Sequence, residues 1–172
     1  MTSHIPVSRP FIGISEVWRA ASSVGAGKIS GLYGEEIEEF ERRFANFNGS
    51  EFAVACSSGT AALHLSLVAL GIGPGDEVLV SDITNMASFF AVLYTGATPI
   101  PVDVSELSMT MDPIDLKRKI SPRARAIMPV HLFGQPCDMD AIVAIARENQ
   151  LEIVEDCAEA HGASVGGKRV GS

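Results

Sequence analysis

The chain has 172 residues, 47% hydrophobic and 20% charged, a composition typical of a globular domain and not of a disordered or low-complexity chain. Its 13 Lys and Arg residues against 21 Asp and Glu residues give a formal net charge of −8 without a basic run, so nucleic-acid binding is not expected. Three widely spaced cysteines indicate a reducing, cytoplasmic compartment, and no apolar run predicts a signal peptide or a transmembrane helix.

The N-terminal part of the chain, residues 1–34, is predicted to be an irregular arm, because prolines and glycines interrupt it. The first predicted helix follows, with Ile37, Phe40, Phe44 and Phe47 at helical spacing on one face. Five glutamates between residues 35 and 41 fill the other face, which predicts a solvated surface whose carboxylates lie at the favourable N-terminal end.

From residue 51 onward, short apolar runs alternate with helical stretches. The predicted strands are 52–56, 77–80, 98–104, 124–130 and 151–155, and the predicted helices are 60–70, 86–94, 113–120 and 139–149. The strands lack alternation of polar and apolar residues, as expected when helices cover both faces of a parallel sheet. A hairpin is predicted around Gly166 and Gly167. The predicted fold is α/β, a three-layer sandwich with a mostly parallel sheet.

Ligands of open parallel sheets bind where the strands end, and the first predicted strand ends in a turn of small residues. Ser57, Ser58, Gly59 and Thr60 lie between this strand and a helix. Free backbone N–H groups, hydroxyls and the positive end of the helix together favour a phosphate group there. Serine and threonine are also ordinary helix N-caps, so phosphate binding and simple capping are both open at this point.

Ionisable residues follow the last predicted strand, where Glu155, Asp156, Glu159 and His161 come directly after an apolar run. A buried carboxylate needs a partner, and a cationic ring nitrogen of a cofactor would be one. The alternative is that Asp156 caps a turn and that His161 has a structural role. The cysteines and histidines lack short metal-ligand spacing, so no metal site is predicted.

Several motifs together resemble the DegT-type sugar aminotransferases, which are fold-type I pyridoxal phosphate (PLP) enzymes. The motifs are SSGTAALHL, LGIGPGDEV, YTGATP, PVHLFG and EDCAEAHG, at residues 57–65, 70–78, 94–99, 129–134 and 155–162. The last of them looks most like the perosamine synthase branch. The resemblance extends from about residue 31 to residue 172 and implies that residues 35–172 form part of the PLP-binding large domain.

The resemblance also implies roles for individual residues. The cofactor-binding positions would be Ser58, Gly59, Thr60, Asn85, Asp156 and Glu159. The first three would bind the phosphate, Asp156 would pair with the pyridine nitrogen, and Glu159 would contact the 3-hydroxyl. Asn85 departs from the family pattern, because an aromatic residue usually stacks on the ring at that position. His131 and His161 are expected near the site as candidate substrate contacts.

The activity implied by the resemblance is transfer of an amino group, with glutamate as donor, to a nucleotide-linked keto sugar in polysaccharide (O-antigen) biosynthesis. The family's catalytic lysine, which holds PLP as a Schiff base, would lie beyond Ser172 together with a C-terminal small domain. We therefore expect residues 1–172 to be an N-terminal part of a homodimeric enzyme and to be inactive alone. The alternatives are a PLP-dependent sugar dehydratase of the same family, in which histidine replaces the lysine, and a non-catalytic remnant.

Overall fold

A four-stranded parallel sheet lies at the centre of the structure, a computed structural model that describes residues 9–30 and 35–172. Its strands are β1 (Glu77–Ser81), β2 (Thr98–Val102), β3 (Ala124–Met128) and β4 (Glu152–Ile153). They lie in the order β2-β1-β3-β4, and every neighbouring pair is parallel. A separate antiparallel hairpin of β5 (Ser164–Val165) and β6 (Lys168–Arg169) follows. The mostly parallel sheet and the terminal hairpin are thus confirmed.

Six helices accompany the strands in the described parts of the chain. They are α1 (Ile14–Gly25), α2 (Glu36–Asn48), α3 (Gly59–Ala69), α4 (Met86–Thr95), α5 (Pro113–Lys119) and α6 (Met139–Asn149). Side chains of α3 and α4 pack in one core cluster, and side chains of α5 and α6 pack in another. Among the described residues, no helix combines the length and apolar character needed to cross a membrane.

The central strand β1 is buried on both faces, which explains its continuous run of apolar residues. Val78 and Val80 point into the cluster formed with α3 and α4, whereas Leu79 points into the cluster formed with α5 and α6. Successive side chains of a strand face opposite sides of a sheet, so this division places helices on both faces. The three-layer sandwich is confirmed.

Most predicted elements agree with the structure to within one or two residues; β2, β3 and β4 are shorter than predicted, and β1 is one residue longer. β2 ends at Val102, and Val104 forms only an isolated bridge with Met111. β3 ends at Met128, although Val130 pairs with Asp156 in a further parallel bridge. The apolar runs therefore predict which residues are buried in the core better than they predict which residues pair in regular strands.

The prediction of a strand at 52–56 is wrong. This segment has no strand partner in the described chain, and the side chains of Phe52 and Val54 are 77% and 70% exposed. The Ala55 N–H donates to Glu41 Oε1 of α2 at 2.7 Å instead of joining a ladder. The apolar pattern reports a preference for extended backbone, but a strand also needs a partner with unpaired hydrogen-bonding groups.

The prediction of an irregular arm is also wrong for residues 14–25, which form α1; residues 1–8 and 31–34 lie outside the described residues. The Glu16 carboxylate accepts the Gly13 N–H at 2.7 Å and so satisfies a donor at the start of the helix. Pro10 and Gly25 stand near the two ends of this helix and do not interrupt it.

The turn after α4 gives a prediction on stability. Gly96 has φ of +83°, and a Cβ there would lie 2.9 Å from Pro74 Cγ. Gly96→Ala is therefore expected to lower the free energy of unfolding by about 1–3 kcal/mol in urea titrations, since left-handed backbone and a close contact both oppose alanine. Gly71→Ala is the matched control, with φ of +74° and no atom within 4 Å of the added Cβ. Equal losses in the two variants would contradict a role for the Pro74 contact.

Candidate functional site

The polar groups predicted to follow the strands lie at one edge of the central sheet. We call it the carboxyl edge, because the parallel strands end there. From β1, helix α4 leads to β2, and α5 then leads back across β1 to β3, so β1 and β3 flank a topological switch point. Crevices at such points are the usual ligand sites of α/β sheets. Thr84 follows β1, His131 follows β3 and Asp156 follows β4, which brings all three to this edge.

The N-terminus of α3 reaches the same edge. α3 packs on β1 through Leu63 and Leu67, and residues 70–76 link its C-terminus to the beginning of β1, so helix and strand run in opposite directions. Ser58 is the N-cap, and its Oγ accepts the Ala61 N–H at 3.2 Å. Gly59 opens the first turn, where N–H groups have no acceptor within the helix, and a Cβ on it would meet no atom within 4 Å. This open, donor-rich helix end suits an anion.

Asp156 is buried, with only 6% of its surface exposed, and is fixed through both its backbone and its side chain. Its backbone N–H donates to Pro129 O at 2.9 Å, and its carbonyl accepts the His131 N–H at 3.1 Å. Its Oδ1 accepts the Ala158 N–H at 3.1 Å, and its Oδ2 accepts the Ser88 hydroxyl at 2.8 Å. The carboxylate is thus held at the carboxyl edge, and each oxygen keeps further acceptor capacity for a cationic partner.

His131, expected as a candidate substrate contact, lies in the interior of the described chain, and its role toward a substrate stays a prediction. The residue is fully buried, its Nδ1 accepts the Cys137 N–H at 3.0 Å, and its Nε2 lies 2.8 Å from Glu155 Oε2. The side chain therefore braces the end of β3 against the end of β4 from the interior. A histidine that follows a strand end is a reasonable candidate for a site residue when only the sequence is known. Its burial, however, depends on how the following loop packs.

His131 and Glu155 form a pair whose hydrogen bond has one direction. The His131 ring is neutral and carries its proton on Nε2, because burial disfavours a charged ring and a proton on Nδ1 would break the bond from the Cys137 N–H. Burial opposes ionisation of Glu155, but hydrogen bonds from His131 and the Gly171 N–H lower its pKa. Glu155 is thus the acceptor in this pair.

Thr60 is half-buried in the first turn of α3, and the remaining predicted residues, Asn85, Glu159 and His161, occupy exposed positions. Asn85 caps α4, since its Oδ1 accepts the Ala87 N–H at 3.0 Å. Glu159 accepts the Phe133 N–H on Oε2 at 3.2 Å. His161 packs its ring edge-on against Phe44 of α2, with 5.9 Å between the ring centroids. These contacts show what holds each side chain in the free protein.

Ser88 is the residue that sequence reasoning missed. It lies in the first turn of α4, is fully buried, and donates to Asp156 across 68 positions of sequence. The available signal was a polar residue within the otherwise apolar run MASFFAVL, four residues after Thr84. A serine there is also compatible with plain helix packing, so the pattern alone does not identify its partner.

Within the described part of the chain, one group of three potential metal ligands comes together. Donor atoms of His131, Glu155 and Cys157 all lie within 4.8 Å of one another. The histidine and the glutamate already hydrogen-bond to each other, and the Gly171 N–H occupies the same glutamate oxygen. The mutual hydrogen bonds account for the grouping without an ion, and the expectation of no metal site stays a prediction.

Comparison with known proteins gives a match over nearly the whole chain. The family model described as the DegT/DnrJ/EryC1/StrS aminotransferase family matches residues 15–172. The GDP-perosamine synthase of Caulobacter vibrioides is 52% identical over 139 residues, which are 81% of this chain and 38% of that protein. The chain therefore spans about two fifths of the length of this curated relative.

Two solved structures resemble the fold closely. An aminotransferase from Psychrobacter cryohalolentis superposes with a TM-score of 0.92 at 38% identity, covering 96% of this chain and 42% of that chain. The E. coli GDP-4-keto-6-deoxy-D-mannose-3-dehydratase with bound hydrated PLP superposes with a TM-score of 0.89 at 26% identity, covering 98% of this chain and 44% of that chain.

Proposed function

This chain belongs to the DegT/DnrJ/EryC1/StrS aminotransferase family, and from that premise we propose that it forms the PLP-binding part of an enzyme that aminates a nucleotide-linked keto sugar. The observation that carries the proposal is the buried Asp156 carboxylate, held at the same sheet edge as the N-terminus of α3. A carboxylate and an anion-binding helix end on one edge are complementary to a ligand that has a basic ring nitrogen and a phosphate.

The donor set of the chain fits PLP. The first-turn N–H groups and the Thr60 hydroxyl would bind the phosphate, because the end of α3 is electropositive and open above Gly59. Asp156 would accept a hydrogen bond from the protonated pyridine nitrogen and so keep the proton on the ring. When bound, PLP supplies an electron sink that allows an amino group to leave a donor and join an acceptor. Asp156 supports that chemistry by keeping the ring nitrogen protonated.

We propose roles for further residues around the cofactor, and the described contacts are compatible with these roles. Ser58 would keep the phosphate-binding turn in place, since its hydroxyl caps α3. Glu159 would contact the 3-hydroxyl through Oε1, on which no donor lies among residues 9–30 and 35–172, while Oε2 is engaged by Phe133. Asn85 would lie against the ring as the fixed N-cap of α4. His161 is exposed and available as a substrate contact.

The proposal extends to the surroundings of the reaction. Glutamate would be the amino donor, and the product would enter polysaccharide, including O-antigen, biosynthesis in the cytoplasm. Three free cysteines support a reducing compartment. The protein would act as a homodimer, which is supported by large apolar side chains that stay exposed in the single chain, among them Trp18 and Tyr94.

A dehydratase of the same family is the second candidate, supported by the close superposition on the E. coli enzyme. The identities favour the aminotransferase: 52% to a GDP-perosamine synthase against 26% to the dehydratase. A non-catalytic remnant is the third candidate, and it predicts no specific PLP binding.

One assay separates these candidates. The full polypeptide that contains residues 1–172 is incubated with PLP, nitrogen-15-labelled glutamate and GDP-4-keto-6-deoxy-D-mannose, and the sugar nucleotide is examined by mass spectrometry. Amination places the label in the sugar, and a control without glutamate stays unlabelled. Loss of the substrate without label incorporation would support the dehydratase. An unchanged substrate together with absent PLP binding would support the remnant.

A further inference from the structure

A buried hydroxyl pair lies behind the Asp156 carboxylate. The Ser88 Oγ donates to Asp156 Oδ2 at 2.8 Å, and the same oxygen lies 2.7 Å from Thr84 Oγ1. An ionised carboxylate only accepts hydrogen bonds, so the single hydroxyl proton of Ser88 is used on Asp156. Thr84 must therefore be the donor to Ser88. The chain of hydrogen bonds has one direction, from Thr84 through Ser88 to Asp156.

The placement of Ser88 makes this contact rigid. The residue is fully buried in the first turn of α4, and its own N–H donates to Asn85 O at 3.2 Å. α4 begins at the end of β1, whereas Asp156 follows β4, with β3 lying between these two strands. The hydroxyl thus joins two separate elements across the switch point. The Ala158 N–H engages the other oxygen, so the two donors together fix the plane of the carboxylate.

We propose that Ser88, supported by Thr84, is a positioning residue that sets the orientation of the Asp156 carboxylate and thereby its hold on the pyridine proton of PLP. This rests on the proposed cofactor function, which names Asp156 but leaves open what orients it. A donor on Oδ2 withdraws electron density from the carboxylate and disfavours transfer of the ring proton to it. Without that donor the carboxylate can rotate, and it becomes a stronger base.

The test measures PLP affinity and the nitrogen-15 chemical shift of labelled PLP, using the full polypeptide that contains residues 1–172. Ser88→Ala is expected to weaken PLP binding roughly tenfold, as for a lost hydrogen bond to a charged group, and to move the pyridine nitrogen signal toward its unprotonated position. Thr84→Val is expected to shift both readouts in the same direction by a smaller amount, about two- to threefold in affinity, because it acts through Ser88.

The double variant distinguishes positioning from two independent effects. Because Thr84 acts through Ser88, the Thr84→Val, Ser88→Ala double variant is expected to be no worse than Ser88→Ala alone. Ser66→Ala is the matched control, since Ser66 is a helix serine that donates only to the backbone carbonyl of Ala62. It is expected to leave affinity and the nitrogen signal unchanged.

The outcomes separate this proposal from the proposed function. If the wild-type protein does not bind PLP, the proposed function fails. If it binds PLP with a protonated ring nitrogen and Ser88→Ala lowers only the thermal midpoint, with affinity and the nitrogen signal unchanged, Ser88 is structural and the positioning role is overturned. Should Ser88→Ala not fold, Thr84→Val decides, because an unshifted nitrogen signal in that variant also overturns the proposal.

Discussion

The Asp156→Asn variant is expected to bind PLP about a hundred- to several thousandfold more weakly than the wild-type protein, because removal of one partner from a buried ion pair costs about 3–5 kcal/mol. Asparagine keeps the size of the side chain but cannot balance the charge of a protonated pyridine nitrogen. The Ser88 hydroxyl and the Ala158 N–H donate to different oxygens of the carboxylate. Asparagine has only one side-chain oxygen, so one of these two donors would lose its acceptor. Amino transfer is expected to fall at least as far, since the ring nitrogen would no longer be held protonated.

The measurement is the visible absorbance of bound PLP during a titration of each variant, together with transfer of labelled nitrogen to the sugar nucleotide. Asp112→Asn is a suitable control, because Asp112 caps α5 through its Oδ1 and asparagine is an equally good cap. The account predicts a loss in Asp156→Asn and no change in Asp112→Asn. Unchanged turnover in Asp156→Asn would contradict the assignment.

Leu79→Ala is expected to lower the free energy of unfolding by about 2–5 kcal/mol, which is the range for truncation of a buried leucine. Leu79 has no exposed surface and stands on the central strand β1, where it joins the cluster shared with α5 and α6. The loss combines the transfer free energy of the deleted methyl groups with the cavity left between closely packed layers.

Urea unfolding followed by circular dichroism gives this value directly. Leu107→Ala serves as the control, because Leu107 is 99% exposed, and its truncation is expected to change stability by less than about 0.5 kcal/mol. A loss in Leu107→Ala as large as that in Leu79→Ala would show that the core does not lie where the structure places it.

The central layers of this fold could be predicted from the sequence because their signals are local. The helix at 139–149 was predicted with both its ends, and it has a capping aspartate at its start and a left-handed residue after its end. β1 is buried throughout, and β3 is buried except at Arg125, a pattern typical of parallel strands that helices cover on both faces.

The elements that sequence reasoning missed depend on partners and not on local pattern. The 52–56 segment has the composition of a strand, yet in the described chain its Ala55 N–H is taken by Glu41. Conversely, α1 begins among residues that read as helix breakers, because the Glu16 side chain satisfies its first turn. In both segments the secondary structure depends on hydrogen bonds between side chain and backbone. The fold brings the bonded residues together, so the local sequence pattern does not predict these bonds.

The candidate site divides in the same way. The turn with Ser58 before α3 and the strand end with Asp156 were predictable, because small residues before a helix and carboxylates after a core run have a physical meaning in an α/β chain. The depth of His131 and the bond from Ser88 to Asp156 were not predictable, since both arise from the packing of separate elements. Sequence therefore located the carboxyl edge, and structure showed which groups orient its central carboxylate.

A crystal structure of the full polypeptide in complex with PLP tests the central claim most directly. The account predicts the phosphate at the first turn of α3, on the N–H groups of Gly59 and Thr60, and the pyridine nitrogen within hydrogen-bonding distance of the Asp156 carboxylate. PLP bound elsewhere, or a ring nitrogen that faces away from Asp156, would contradict it.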